Sequence, residues 1–228
     1  FNLPYNRHSE NNLLREGLHP RFIFRTGSPM REVIDFYLPK IQASPILDSL
    51  GVEPQEYIVA SIHRQENVDS AARLEKVFGA LSAVAESTGK MVLVSTHPRT
   101  RDKLESETTL KGLDGLRFHD PFSFTDYMQL QIHSFCVISD SGTISEESAM
   151  MGFPAVTLRN SMERPEAMET GQILMSAATG DELLRCIESA VKPIRDVPEG
   201  YDNSDFSQKV SRFVQSTHNL AGLWKNLG

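Results

Sequence analysis

The stretch that most constrains the fold is residues 135–147, FCVISDSGTISEE. It opens on an apolar run, Phe135-Cys136-Val137-Ile138, long enough for one buried strand. The run stops at Ser139-Asp140-Ser141-Gly142 and enters Thr143-Ile144-Ser145-Glu146-Glu147-Ser148-Ala149-Met150. That second part reads as a helix, with Ser or Thr near its start and carboxylates in its first turns. Strand, glycine turn and helix N-terminus bring unpaired backbone N–H groups and the positive end of the helix dipole to one spot, which suits an anion. Gly142 lets a phosphate approach the backbone closely. Glu147 would repel a phosphate, so it suits an acceptor for sugar hydroxyls beside it, as acidic residues serve riboses in dinucleotide folds. The alternative is a capped helix after a buried strand, without a ligand.

The rest of the chain repeats the alternation. Residues 57–62 (YIVASI) are apolar almost throughout, as in a parallel sheet covered on both faces. Residues 91–94, 116–118, 155–158 and 172–175 read as further strands, and 1–4 and 22–25 as short ones. Helices are expected at 9–17 with Ser9 as N-cap, at 30–42 with a kink or early end at Pro39, and at 46–50, 71–87, 101–105, 125–134 and 181–191. A linker from Pro193 to Ser204 precedes one final helix over 205–224. Strands and helices alternating at short spacing give an α/β fold with a doubly wound parallel sheet.

With 39% hydrophobic residues among 228, the chain can bury a full core. The net charge of −7 argues against broad nucleic-acid binding and against an anionic membrane surface. No apolar run approaches membrane-spanning length, and no signal peptide is expected. Cys136 and Cys186 share no metal spacing; they read as buried thiols of a reducing compartment, with a disulfide as the alternative.

Polar clusters follow the expected strand ends: Thr26-Gly27-Ser28, residues 63–67 (HRQEN), Thr96-His97-Pro98-Arg99, His119-Asp120-Pro121 and Ser139–Gly142. Ligands of open α/β sheets sit outside the carboxyl ends of the strands, so these clusters together define an expected binding edge. His63 reads either as a group for a phosphate or a leaving oxygen, or as an acid, or as a loop-ordering histidine. Arg164, in Glu163-Arg164-Pro165-Glu166, reads either as a surface ion pair or as a bidentate fork for a phosphate. No metal set is formed by the histidine and carboxylate spacing.

HRQEN at 63–67, SDSGTISEE at 139–147 and ERPE at 163–166, in that order, resemble the non-hydrolysing UDP-N-acetylglucosamine 2-epimerases. With VSTHPRTRDKL and MGFPAVTLRN, the text is most similar to the bacterial capsule and O-antigen branch, which includes UDP-N-acetyl-L-fucosamine synthases. The resemblance implies a GT-B-like pair of Rossmann-like domains with the ligand in the cleft. This chain would be the tail end of the first domain (1–20), the UDP-binding second domain (21–192), and a linker with the closing helix (193–228).

It implies that His63 contacts the substrate phosphates and is important for catalysis. Ser141, Gly142 and Arg164 would hold the diphosphate, Glu147 the ribose, and Tyr127 would lie beside the uracil. Arg64 and His97 resemble positions that hold a second, activating UDP-sugar. Here Gln65 stands for the usual Arg, Pro98-Arg99 for a Leu- or Met-Asn pair, and Thr143 for the second Gly of the phosphate turn. The implied reaction inverts C2 of a UDP-N-acetylamino sugar by elimination and re-addition of UDP, without metal or cofactor, in a cytoplasmic homodimer.

The implied catalytic carboxylates belong to the first domain. This chain alone is therefore expected to bind UDP weakly and not to epimerise. Its closing helix, around Phe206, Val210 and Phe213, is expected to lack a partner and to drive self-association. Two other readings of the same architecture are a glycosyltransferase half and a nucleotide-sugar-binding module without chemistry.

Overall fold

The computed structural model describes residues 1–96, 113–159, 161–177, 179–192, 194 and 196–225. The helix expected at 101–105 and the segment carrying His97 lie outside the described residues. The chain divides into two compact units, Phe1–Leu38 with Val197–Gly228, and Pro39–Asp196.

The first unit carries helix α1 (Arg7–Arg15) and the start of α2 (Met30–Gln42). The N-cap of α1 is Asn6, not Ser9: the Asn6 side chain accepts from the Ser9 N–H at 2.8 Å, which puts Ser9 at the third helical position. Helix α2 does not stop at Pro39. Proline there forgoes only the bond to the Asp35 carbonyl, and both positions are exposed, so water can serve that carbonyl. Residues 22–25 do not form a strand. Phe22 ends a 3-10 turn begun at Pro20, and pairing is limited to an isolated bridge between Asn2 and Ile23. Gly27, at φ +84°, belongs to this unit, where a Cβ would collide with the Asn203 amide. Thr26-Gly27-Ser28 is thus a structural turn rather than part of a sheet edge.

The second unit contains α3 (Ile46–Leu50), β1 (Tyr57–Ser61), α4 (Gln65–Val68), α5 (Ala71–Thr88), β2 (Met91–Ser95), β3 (Leu116–His119) and α6 (Phe124–His133). It continues with β4 (Cys136–Ser139), α7 (Ile144–Met151), β5 (Ala155–Leu158), α8 (Pro165–Glu169), β6 (Ile173–Ser176) and α9 (Gly180–Ala190). All six strands are parallel, in the order β3-β2-β1-β4-β5-β6.

Strand residues alternate between two cores. Ile58, Ala60, Cys136, Ile138, Val156 and Leu158 pack with α5 and α9 on one face. Tyr57, Val59, Val137 and Ala155 pack on the other with Leu130 of α6, Ile144 of α7 and Ala167 of α8. Both faces are covered, which is why β1, β4 and β5 read as unbroken apolar runs. Both cysteines are free thiols.

The chain closes in the first unit with α10 (Phe206–Thr217) and α11 (Ala221–Lys225), two helices rather than one. The break follows Ser216 and Thr217, whose hydroxyls both bond the Phe213 carbonyl, at 2.9 and 2.7 Å, in competition with the helix ladder. Phe213 does have partners. Its ring lies 4.5 Å from Phe24 and 5.2 Å from Phe1, in a cluster with Phe22 and Trp224. Among the described residues, no helix is long and apolar enough to cross a membrane.

Candidate functional site

Strand order reverses between β1 and β4, which lie side by side with Ser61 opposite Ser139. At such a switch point the following loops diverge to opposite faces and leave a crevice at the carboxyl ends. His63 and Arg64 leave β1 there, and Asp140, Ser141 and Gly142 leave β4.

Asp140 ties the two together. It is fully buried. Its carboxylate accepts from the His63 N–H at 3.1 Å, the Arg64 N–H at 2.9 Å and the Asn67 amide at 3.0 Å, while His63 Nδ1 stands 3.2 Å from Oδ1. Asn67 also donates to the Leu158 carbonyl at 3.0 Å, linking α4 to β5. The HRQEN segment therefore does not trail off as a loop; residues 65–68 make one helical turn whose start is held by Asp140. A hollow of about 380 Å³ lies over His63, Arg64, Gln65 and Glu66. A larger hollow, about 820 Å³, lies at the opposite ends of β2 and β3, beside Lys90, Met91 and Leu116. Position favours the smaller one, because parallel α/β sheets bind ligands at their carboxyl ends.

The glycine turn is organised by hydroxyls. Ser141 N–H donates to Ser139 Oγ at 3.1 Å, and Ser141 Oγ accepts from the Thr143 N–H at 3.3 Å. Gly142 is not in the left-handed region. Backbone conformation therefore does not require glycine here. A Cβ on Gly142 would meet the Arg164 guanidinium at 3.8–3.9 Å. That places Arg164 over the turn, where its Nη1 pairs with Glu146, only 4% exposed.

Glu147, one residue on, points elsewhere, since successive helical positions are about 100° apart. Its Oε2 accepts from Gln131 at 3.0 Å. Burial pushes the Glu147 carboxyl above the ordinary glutamate range, against the opposing hydrogen bonds of Gln131 and Thr143. Tyr127 joins this group: its hydroxyl is buried near Ser61, Gln131 and Glu147, and burial, then the Glu147 charge, push its phenol up. A third cluster borders the crevice. Arg64 grips Glu163 with both nitrogens at 3.1 and 3.2 Å, and buried Arg159 brings Nη2 to 2.9 Å from the same carboxylate. The Arg64 bonds first, then Arg159, hold the Glu163 carboxyl down at about 2.

The structure thus brings His63, Arg64, Ser141, Gly142, Glu147 and Arg164 to the carboxyl ends of β1 and β4–β5 and the helices that follow, with the hydroxyl of Tyr127 reaching Ser61 and Glu147 from α6; His97 is outside the described residues. Sequence reasoning missed Asp140, Asn67, Gln131, Glu146, Glu163 and Arg159 as site-building groups. Asp140 carried one signal, a carboxylate ending a buried strand.

The burial of Glu147 makes its protonation testable. An unfolded glutamate titrates near about 4.3, and the fold holds the proton to higher pH. The stability this gives is complete below the ordinary value and is lost as pH rises through the raised one. Glu147→Gln is therefore expected to gain melting temperature relative to the parent as pH goes from about 4 to about 8. A difference constant across that range would refute the assignment.

A parallel sheet of this order, with helices on both faces and its polar cluster at the switch point, defines a Rossmann-like domain. The profile of the UDP-N-acetylglucosamine 2-epimerase family matches residues 1–215, and the chain belongs to that family. The UDP-N-acetylglucosamine 2-epimerase of Methanocaldococcus jannaschii is 25% identical over 215 residues, 90% of this chain and 58% of that protein. A crystal structure of the M. jannaschii epimerase, in complex with UDP-GlcNAc and UDP, superposes with a TM-score of 0.86 over 94% of this chain and 60% of that one, at 24% identity. The Rickettsia bellii UDP-N-acetylglucosamine 2-epimerase structure gives a TM-score of 0.86 at 32% identity, over 97% of this chain and 62% of that one. The UDP-2,3-diacetamido-2,3-dideoxy-D-glucuronate 2-epimerase of Pseudomonas aeruginosa is 28% identical over 208 residues, 89% of this chain and 56% of that protein. The chain spans little more than half the length of the curated relatives it matches.

Proposed function

We propose that this chain is the UDP-binding half of a UDP-sugar 2-epimerase acting on a UDP-N-acetylamino sugar for a bacterial surface polysaccharide. The observation that carries this reading is the seating of the Arg164 guanidinium over Gly142, at the same strand ends as the His63 imidazole. Fold alone would serve a transferase or a binding module equally well. The ordered HRQEN, SDSG and ERPE residues, gathered at one edge, favour the epimerase, as does the M. jannaschii relative that holds UDP-GlcNAc and UDP.

In this reading Ser141, the Gly142 N–H and Arg164 hold the diphosphate, Glu147 accepts from the ribose hydroxyls, and Tyr127 borders the base. A base removes the C2 proton, and the C1–O bond to UDP breaks with its electron pair leaving on the diphosphate, so a C1–C2 double bond forms. His63 can give a proton or a hydrogen bond to that oxygen. UDP then adds back to C1 while C2 takes a proton on its opposite face. The carboxylates for C2 belong to the family's first domain in that resemblance, which also supplies the homodimer and the cytoplasmic setting. A second, activating nucleotide sugar at Arg64 and His97 would have to take the Arg64 guanidinium from Glu163.

Calorimetric titration of the chain with UDP tests the reading. Weak binding is expected, because half a cleft loses part of its contacts. Gly142→Ala fits the turn without clash, so its melting temperature should hold. Its methyl occupies the phosphate position, so UDP affinity should fall about tenfold or more, at least about 1.4 kcal/mol. Parent-like UDP affinity in Gly142→Ala would sink the proposed phosphate site.

A further inference from the structure

Asp140 makes contacts that a loop anchor does not need. Two of its bonds, to the His63 and Arg64 N–H groups, fix backbone at the start of α4. The third, to Asn67, is itself oriented: Asn67 Oδ1 accepts from Arg73 Nε at 3.1 Å, and Asn67 Nδ2 serves both Asp140 and the Leu158 carbonyl. The amide can then stand only one way round, with its N–H toward the carboxylate. A chain of side chains, Arg73 to Asn67 to Asp140, ends on the imidazole of His63, whose Nδ1 lies 3.2 Å from Oδ1. The carboxylate is fully buried, whereas the His63 side chain is 41% exposed, so the far edge of the ring opens outward.

We infer that Asp140 is a positioning residue for His63: it holds the imidazole as the Nδ1–H tautomer and leaves Nε2 facing the strand-end crevice. A carboxylate met by N–H donors acts as an acceptor. An unprotonated Nδ1 would set its lone pair against a carboxylate lone pair, so the proton belongs on Nδ1. Neutral His63 then offers Nε2 as an acceptor at the crevice. Once protonated, it offers an Nε2–H donor to an anionic oxygen, with Asp140 balancing the ring charge from behind. This deepens the proposed function and rests on it for what Nε2 meets; the tautomer itself does not depend on that reading.

Ring two-bond proton–nitrogen NMR of the uniformly nitrogen-labelled chain, above the pH at which its imidazoles ionise, tests the inference. His63 signals are identified by their loss in His63→Gln. The expected result is a pyrrole-type shift at Nδ1 and a pyridine-type shift at Nε2, reversing to the Nε2–H form in Asp140→Asn. A mere backbone anchor predicts the Nε2–H form in the parent already, and that result overturns the inference. So does an Nδ1–H form that persists in folded Asp140→Asn. The parent spectrum decides even if that variant fails to fold. Titration of the same sample with UDP separates the two ideas: UDP binding with an Nε2–H ring removes the role of Asp140 alone, and an Nδ1–H ring without UDP binding removes the nucleotide reading alone.

Discussion

Asp140→Ala is expected to lower folding stability by about 2–5 kcal/mol, read as a shift in urea midpoint at constant slope. The carboxylate is wholly buried and accepts from two backbone N–H groups and one side-chain amide. Alanine leaves the His63 and Arg64 N–H groups without that acceptor, and each buried donor so stranded costs about 1–3 kcal/mol. The loss reaches beyond one turn, because Asn67 carries the same network to β5 through the Leu158 carbonyl. A loss under about 1 kcal/mol would mean that water serves these donors and that the β1–β4 junction does not depend on Asp140.

Arg164→Ala should act on stability and on binding at once, and a second substitution separates the two. Arg164 pairs with Glu146, which is nearly buried, while its guanidinium lies over Gly142. Truncation takes a cation from a carboxylate held in low dielectric, a change that costs about 3 kcal/mol when one partner of a buried pair is removed. It also removes the guanidinium proposed to hold the diphosphate, so UDP affinity should fall about a hundredfold, roughly 2.7 kcal/mol. Adding Glu146→Gln relieves the stranded charge, so melting temperature should recover while UDP affinity stays low. Recovery of UDP affinity in the double variant would show that Arg164 serves only the ion pair.

Much of the site was legible because its chemistry is local. The SDSG turn between a buried strand and a helix is written in thirteen consecutive residues, and the structure builds it there, with Ser141 Oγ accepting from the Thr143 N–H and Gly142 beneath the Arg164 guanidinium. What pairs with these residues was not legible. Glu146 and Glu147 are adjacent and chemically alike, yet one meets Arg164, eighteen positions on, and the other meets Gln131, sixteen positions back. No local pattern distinguishes them; helix rotation and the packing of α6 and α8 do. Arg64 resembles an activator ligand in sequence, but in the fold its guanidinium is spent on Glu163, ninety-nine residues away.

The same division runs through the fold. Apolar runs fully buried on both faces announced parallel strands by themselves, since burial from two sides removes the polar alternation of a half-exposed sheet. Residues 22–25 carry the same apolar composition, yet Phe22 and Phe24 join an aromatic cluster with Phe1, Phe213 and Trp224 instead of a sheet. Side-chain burial drove both outcomes, and composition cannot tell which partner supplies it. The sequence by itself determined the α/β class, the positions of the β strands in the second unit and the residues of the glycine turn, because strand burial and turn geometry depend on neighbours a few positions apart. Only the tertiary structure decided that β1 lies beside β4, and hence that Asp140 stands behind His63, because that contact spans seventy-seven residues and exists only once both strands are in register.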